Sequence, residues 1–589
     1  MRRIRICISR LSSASHSGHF AFCSRWRVPL FAPAFRRPFS FHSQGRPLPR
    51  LLSALRSIPL LLLAAALTLP VLAVLASWLP GTVGGAEAGA ILREMAATVL
   101  PGYFVTTVWL GLAVAIGAAV VGTATAAAVT LFDFRGRRTL EWLLLLPLAM
   151  PAYVTAYAYT DFLQFSGPLQ VWLRETYGLQ GRLLPEVRSL GGAVWVFIFS
   201  LYPYVYLLAR TALGERAAHL MEAARLLGAP LARRVRTVAL PLARPAVAAG
   251  VALVLMETLA DFGVVSYFGI QTFTTGIYKA WLSMDNRLAA AQLATILLVL
   301  VMLLLQLEQR AQRRMRFAAG GAGRAGSAEA QPQRLQGLRC VAAWAVCVLP
   351  VLFGFVAPVA FMLRPLAADW SVLPWSRFLE WAGNSVRLGS ITAVLAVAIA
   401  LVLAFAVRRQ AGALTRGVAQ LASLGYAVPG AVIVVGLLLP VGWLQAAAPQ
   451  WGLPSIITAT AVGIVWAYLV RFCAVALQSM QSGYARIPAS LDDSARMLGA
   501  GGAGLLARVH WPLLKRSTAA AALLVFVDVM KELPATMVLR PFNSDTLAVV
   551  AYQLARDERL GEAALPSLAL VAVGLVPVVL LSRTLRSRG

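Results

Sequence analysis

Charge is scarce in this chain, and one kind is nearly missing. Of 589 residues only 13% are Asp, Glu, Lys or Arg, and lysine occurs only as Lys279, Lys515 and Lys531. A soluble domain carries about a quarter of its residues as charges, so a surface that faces water all round is excluded. No GxxxxGK(S/T) run is present and no lysine follows a Gly-rich turn, which excludes ATP binding through a P-loop. The five cysteines (Cys7, Cys23, Cys340, Cys347, Cys473) include no CxxC pair. The five histidines (His16, His19, His42, His219, His510) include no HxxxH pair. HExxH, GxSxG and paired-Asp motifs are also absent from the apolar runs. These absences predict a protein that is not an enzyme, with no fixed metal site and no cofactor of its own.

What is present is apolar. Hydrophobic residues make up 59% of the chain and the mean hydropathy is +0.73. Twelve runs near the length of a bilayer crossing recur, from 55–79 through 142–163, 420–444 and 517–535 to 565–583. About 20 apolar residues cross the hydrocarbon core as a helix, and helix pairs every backbone group internally. The runs are continuous rather than alternating, which argues against an outer-membrane barrel. The expected fold is therefore an all-α integral membrane protein with about 12 transmembrane helices.

The net charge of +29 invites a nucleic-acid reading. The arginines argue against it, because they sit in short clusters between apolar runs, with no basic stretch interleaved with aromatics on a soluble domain. Clusters follow every second run: Arg135 to Arg138, Arg210 to Arg244, Arg310 to Arg339, Arg408 to Arg416, Arg471 to Arg516, and the end of the chain. By the positive-inside rule this alternation places both termini in the cytoplasm of a multi-pass inner (plasma) membrane protein. Residues 1–50 hold ten arginines and no acidic residue. That composition imitates a transit peptide, and a basic tail or an upstream start codon fits the chain better. Residues 318–337, rich in Gly, Ala and Gln, read as a cytoplasmic linker between repeat 1 (51–317) and repeat 2 (338–589).

The two halves align. Glu222-Ala-Ala-Arg-Leu-Leu-Gly228 with Leu240-Pro241 matches Asp493-Ser-Ala-Arg-Met-Leu-Gly499 with Trp511-Pro512 at a constant shift of 271 residues. The same shift pairs Glu257 with Asp528 and Asp261 with Glu532. Upstream the shift becomes 278, pairing Pro151 with Pro429. Two six-helix halves of like orientation form a parallel repeat, which predicts a pseudo-two-fold axis along the membrane normal and a pathway between the halves.

Glu222, Ala223, Ala224, Gly228, Val238, Leu240 and Pro241 resemble the EAA loop of binding-protein-dependent ABC importer permeases. Asp493, Ser494, Ala495, Gly499 and Pro512 repeat it in degenerate form with the spacing intact. One such match could be an ordinary basic loop; two at matched spacing are hard to reconcile with that. Residues 219–227 are expected to form a short helix, with Gly228 as its left-handed end and Glu222 near its start to favour the dipole. The resemblance implies that each loop docks on a separate ATPase subunit, with two copies expected, and that a periplasmic binding protein delivers substrate. ATP is then hydrolysed by the partner.

The stretches 151–161, 260–278 and 531–542 narrow the likeness to fused permeases for ferric iron uptake, over nearly all of 51–589. Sulfate, thiamine and polyamine permeases share the architecture, and an ion-coupled secondary transporter is the alternative class. Carboxylates inside spanning helices usually face a pathway or a partner. Glu257 and Asp261 are four residues apart, as are Asp528 and Glu532, so each pair is expected on one helix face, and hard oxygens suit a hard cation. Alternatively Asp261 and Glu532 cap helix ends, or pair with Lys531 and nearby arginines. Tyr153, Tyr157 and Tyr159 could add phenolic oxygens to the path, or belong to an aromatic belt.

Overall fold

The computed structural model describes residues 48–79, 88–214, 218–320, 333–371, 373–409 and 412–586. The expected N-terminal extension lies outside these residues except for positions 48–50, as does most of the expected linker, at 321–332. Residues 56–589 form one contact unit. Among the described residues the strands are Phe132–Asp133 and Gln333–Arg334, paired in parallel, and helix accounts for nearly everything else.

Among the described residues ten helices are long and apolar enough to cross a membrane, or eleven if the bent pair Arg137–Ala149 and Ala152–Tyr177 is one crossing. The expected run 142–163 is thus interrupted, with an 89° bend. The cause is local: Met150 and Pro151 are extended (ψ 123° and 140°), and proline neither donates to a helix nor lets its predecessor stay helical. The second half does the same at Pro429 (ψ 142°), which splits the expected run 420–444 into Ala413–Leu424, a short 3-10 turn and Gly430–Ala447. The expected run 517–535 is the 21-residue helix Trp511–Lys531, whose Lys515, Arg516, Asp528 and Lys531 leave it short on apolar composition.

The repeat is visible helix by helix. A shift of 271 residues carries Ala218–Leu226 onto Ala489–Met497 and Leu240–Ala260 onto Trp511–Lys531, end to end. A π-helical segment, Val235–Ala239 or Leu505–His510, precedes each of the longer helices.

Each half lends its first spanning helix to the other. The Ile58–Ala76 span reaches the second half, where Trp466 Nε1 donates to Ala66 O at 2.7 Å and Gly436 lies against the backbone of Pro70. Conversely, Tyr159 OH donates to Phe353 O at 2.7 Å, and Phe162 stacks on Phe361 with centroids 4.0 Å apart.

Small residues allow the closest crossings, as expected where packing rather than water drives helix association. Val205 is held between Gly122 and Gly250; a Cβ on Gly122 would meet Val205 Cβ at 2.7 Å, and one on Gly250 would meet Val205 Cα at 2.7 Å. Gly250→Val is therefore expected to cost about 1–3 kcal/mol through overpacking. Thermal unfolding of the detergent-solubilised protein should show it as a lower Tm.

Candidate translocation cavity and coupling loops

A cavity of about 490 Å³ lies between the halves. Its walls come from the two Pro-broken segments, the ends of Leu240–Ala260 and Trp511–Lys531, the Ala461–Tyr484 helix and the last spanning helix. Glu257, Asp261, Asp528 and Glu532 all line it, so the fold brings together both carboxylate pairs. Glu257 stands 17 residues beyond Leu240, about 25 Å along the helix from the loop end.

The expected single helical face for each pair does not form. Both helices end one residue early: Asp261 and Glu532 are extended (ψ 135° and 121°). Each turns back to cap the short helix that follows. Asp261 Oδ1 accepts from Val264 N at 2.8 Å. Glu532 accepts from Ala535 N and Thr536 N, both at 2.9 Å, and from Thr536 Oγ1 at 2.7 Å. Arg471 Nη1 adds an ion pair to Glu532 at 3.5 Å. Capping is thus the geometry of these two carboxylates, whereas Glu257 and Asp528 stay within their helices.

Glu257 Oε1 accepts from Tyr426 OH at 2.9 Å. Lys531 Nζ donates to Leu148 O at 2.9 Å and, among the described residues, makes no ion pair within 4.0 Å. Tyr153 lines the cavity and donates to Lys531 O at 3.3 Å. Tyr157 does not line it; its ring packs edge-on against Tyr267 at 4.7 Å. Tyr153, Tyr157 and Tyr159 are all at least 95% buried, so they form no lipid-facing belt. Among the described residues no three His, Cys, Asp or Glu side chains are placed to hold a metal ion together.

Sequence reasoning missed three cavity residues. Arg471 was expected at the start of a basic loop, but it sits within the Ala461–Tyr484 helix, and an arginine in an apolar run was the available signal. Tyr204 and Tyr426 carried no comparable signal: both line the cavity, and Tyr426 becomes the partner of Glu257 only once the halves meet.

The two loops at the other end share one backbone design. Glu222, Ala223 and Ala224 lie on Ala218–Leu226, and Asp493, Ser494 and Ala495 on Ala489–Met497. Both helices end in a Schellman turn. Gly228 (φ 76°) donates to Arg225 O and Ala229 to Ala224 O; Gly499 (φ 82°) donates to Arg496 O and Ala500 to Ala495 O. Glu222 is the fifth residue of its helix, beyond the first turn, so the expected dipole interaction is not made there. Pro241 and Pro512 are the second residues of Leu240–Ala260 and Trp511–Lys531, directly after the two π-helical segments.

The helix ends hold Leu226 and Leu227 at 85% and 87% exposure and Met497 and Leu498 at 89% each. Four large apolar side chains are thus exposed at matched positions of the two loops.

Residues 118–317 match the family model described as the binding-protein-dependent transport system inner membrane component. That stretch is similar to the inner-membrane permeases of binding-protein-dependent importers, and the long apolar helices make the chain a multi-pass membrane protein of matching design. Along most of its length it is similar to the Fe(3+)-transport system permease protein FbpB 2 of Haemophilus influenzae, at 24% identity over 480 residues, 81% of this chain and 88% of the relative. A probable ABC transporter permease protein, y4fN of Sinorhizobium fredii, is 24% identical over 81% of this chain and 86% of its own. The sulfate transport system permease protein CysW of Escherichia coli is 35% identical over a shorter stretch, 27% of this chain and 54% of its own.

Proposed function

We propose that this permease carries ferric iron inward, delivered by a periplasmic binding protein and driven by two copies of a separate ATPase seated on the two exposed loops. The carrying observation is the charge of the cavity. Four carboxylates face two cations there, and one cation, Arg471, is already paired with Glu532. Glu257, Asp528 and the hydroxyls of Tyr153, Tyr204 and Tyr426 supply hard oxygens, which suit a hard cation. Oxygens that line a path without converging on one site hold such an ion weakly enough to release it. The likeness to an Fe(3+) permease supports the same substrate. An oxyanion such as sulfate would meet excess negative charge in the cavity.

In this reading the loops and both termini face the cytoplasm, and this chain binds no ATP or other cofactor. Residues 51–317 and 338–589 act as the two moving bodies, joined by 318–337. Closure of the ATPase pair would draw the loops together and rock the halves about the cavity.

The test is ATP-dependent uptake of radioactive ferric iron by proteoliposomes holding the permease, its ATPase and its binding protein. Uptake that needs both partners and ATP is the expected result. Sulfate, thiamine or polyamine uptake in place of iron would overturn the substrate. Iron uptake without ATP would overturn the coupling and favour a secondary transporter.

A further inference from the structure

The two loops share a backbone but not an anchor. In the second loop Asp492, one residue before the motif, is 6% exposed. Its carboxylate receives Arg408 Nε at 2.9 Å and Nη2 at 3.2 Å, and lies 2.9 Å from His510 Nε2. Arg408 spends its remaining donors on Tyr484 O, Ile487 O and Pro488 O, at 3.0, 2.9 and 3.1 Å. His510 is fully buried, and its Nδ1 lies 3.4 Å from Tyr484 OH.

Arg408 ends one spanning helix, Tyr484 ends another and His510 immediately precedes a third. The node therefore ties the loop helix to three helix ends at once. The positions that match Asp492 and His510 in the first half are Met221 and Ala239, 8% and 0% exposed, apolar side chains that pack in the core and can form no ion pair.

We infer that Asp492 is a positioning residue that locks the second coupling helix to the membrane helices, so that the two loops transmit ATPase motion with different stiffness. Contacts of the two kinds differ in how they yield. Apolar packing is non-directional and lets a helix slide, while a bidentate guanidinium–carboxylate pair fixes orientation as well as distance. A buried pair of this kind cannot lose one partner cheaply, because the other is left charged and unpaired. Burial opposes the Asp492 charge, but the Arg408 and His510 hydrogen bonds outweigh it and hold the carboxyl below its ordinary value of 3.8. The carboxylate therefore stays ionised through neutral pH, and its contribution to the fold is lost only as pH falls through that depressed value. The lock falls on the loop whose motif is degenerate, where Asp493, Ser494 and Trp511 replace Glu, Ala and Leu of the first loop.

This inference rests on the proposal that the loops dock the ATPase, so the experiment has one readout that needs no ATPase. A nitroxide is placed on Met497→Cys, or on Leu226→Cys as the control, in the purified permease lacking its other cysteines. Asp492→Asn is expected to raise label mobility at 497 and leave 226 unchanged, with Asp492→Glu restoring most of the order. In proteoliposomes the same variant is expected to lower uptake per ATP hydrolysed about tenfold, the scale of one lost charged hydrogen bond. Unchanged mobility at 497 would overturn the lock, as would equal loosening at 226. Raised mobility at 497 with uptake per ATP unchanged would overturn its role in transmission. Failure of the ATPase to bind even the native permease, with mobility responding as expected, would sink the docking reading and leave the lock standing. If Asp492→Asn does not fold, Arg408→Lys, which keeps the charge but loses the fork, replaces it with the same expected outcomes.

Discussion

Replacing Glu257 by Gln and Asp528 by Asn together is expected to abolish iron uptake while the permease still folds and still assembles with its partners. These two carboxylates are the ones that the fold leaves free of backbone duty. Both stay inside their helices and line the cavity, and the hydroxyl of Tyr426 is the partner held by Glu257. A charged hydrogen bond or ion contact contributes about 1.5–3 kcal/mol. Losing two from the path corresponds to a fall of at least about a hundredfold in uptake. The single variants should fall less, because the remaining carboxylate still offers an oxygen pair. Gel filtration and ATPase binding give the assembly control, and normal uptake by the double variant would remove these residues from the path. Glu532→Gln should behave differently. It disturbs caps on Ala535 and Thr536 and leaves Arg471 without its ion pair, so loss of thermal stability should accompany any loss of uptake.

Valine at both Gly228 and Gly499 is expected to uncouple transport from ATP hydrolysis. Each glycine holds φ near 80° at the end of its loop helix and closes the Schellman turn that aims the exposed Leu226–Leu227 or Met497–Leu498 pair outward. A β-branched residue there costs about 1–3 kcal/mol in backbone strain. The turn would relax, and the apolar pair would swing away from its present direction. Among the described residues no neighbour lies within 4 Å of a Cβ at either position, so the penalty is conformational rather than a clash, and the membrane helices should be unaffected. The expected result is normal expression and thermal stability with uptake lost and ATPase binding weakened. Alanine, which tolerates this φ better than valine does, should give an intermediate loss. Full uptake in the double valine variant would show that the loops do not transmit.

Several features were legible in the residues. Continuous apolar runs specify helices because lipid offers the backbone no other partner. The repeat was legible because one shift of 271 residues aligned motif, carboxylates and prolines, and the helices share those bounds. Gly228 and Gly499 were legible as helix stops because few residues other than glycine accept their φ readily. Other features failed for identifiable reasons. Hydropathy read 142–163 and 420–444 as straight crossings because it averages over a window and does not weigh what Pro151 or Pro429 does to one ψ angle. Periodicity placed Asp261 and Glu532 on a helical face because it assumes that the helix continues; the chain leaves it one residue earlier to cap the next turn. The dipole role of Glu222 failed by a similar margin, since the helix begins a few residues ahead of it.

The sequence by itself determined the membrane class, the paired architecture and the two loop helices, because each depends on local terms: apolar length, backbone propensity and residue spacing. Tertiary structure alone decided which charges share a cavity, that Arg471 neutralises Glu532, that each half's first helix packs on the other half, and that Asp492 meets Arg408 and His510. These are contacts between residues tens to hundreds of positions apart. Their energy depends on distance and burial, quantities that a linear order of residues does not carry.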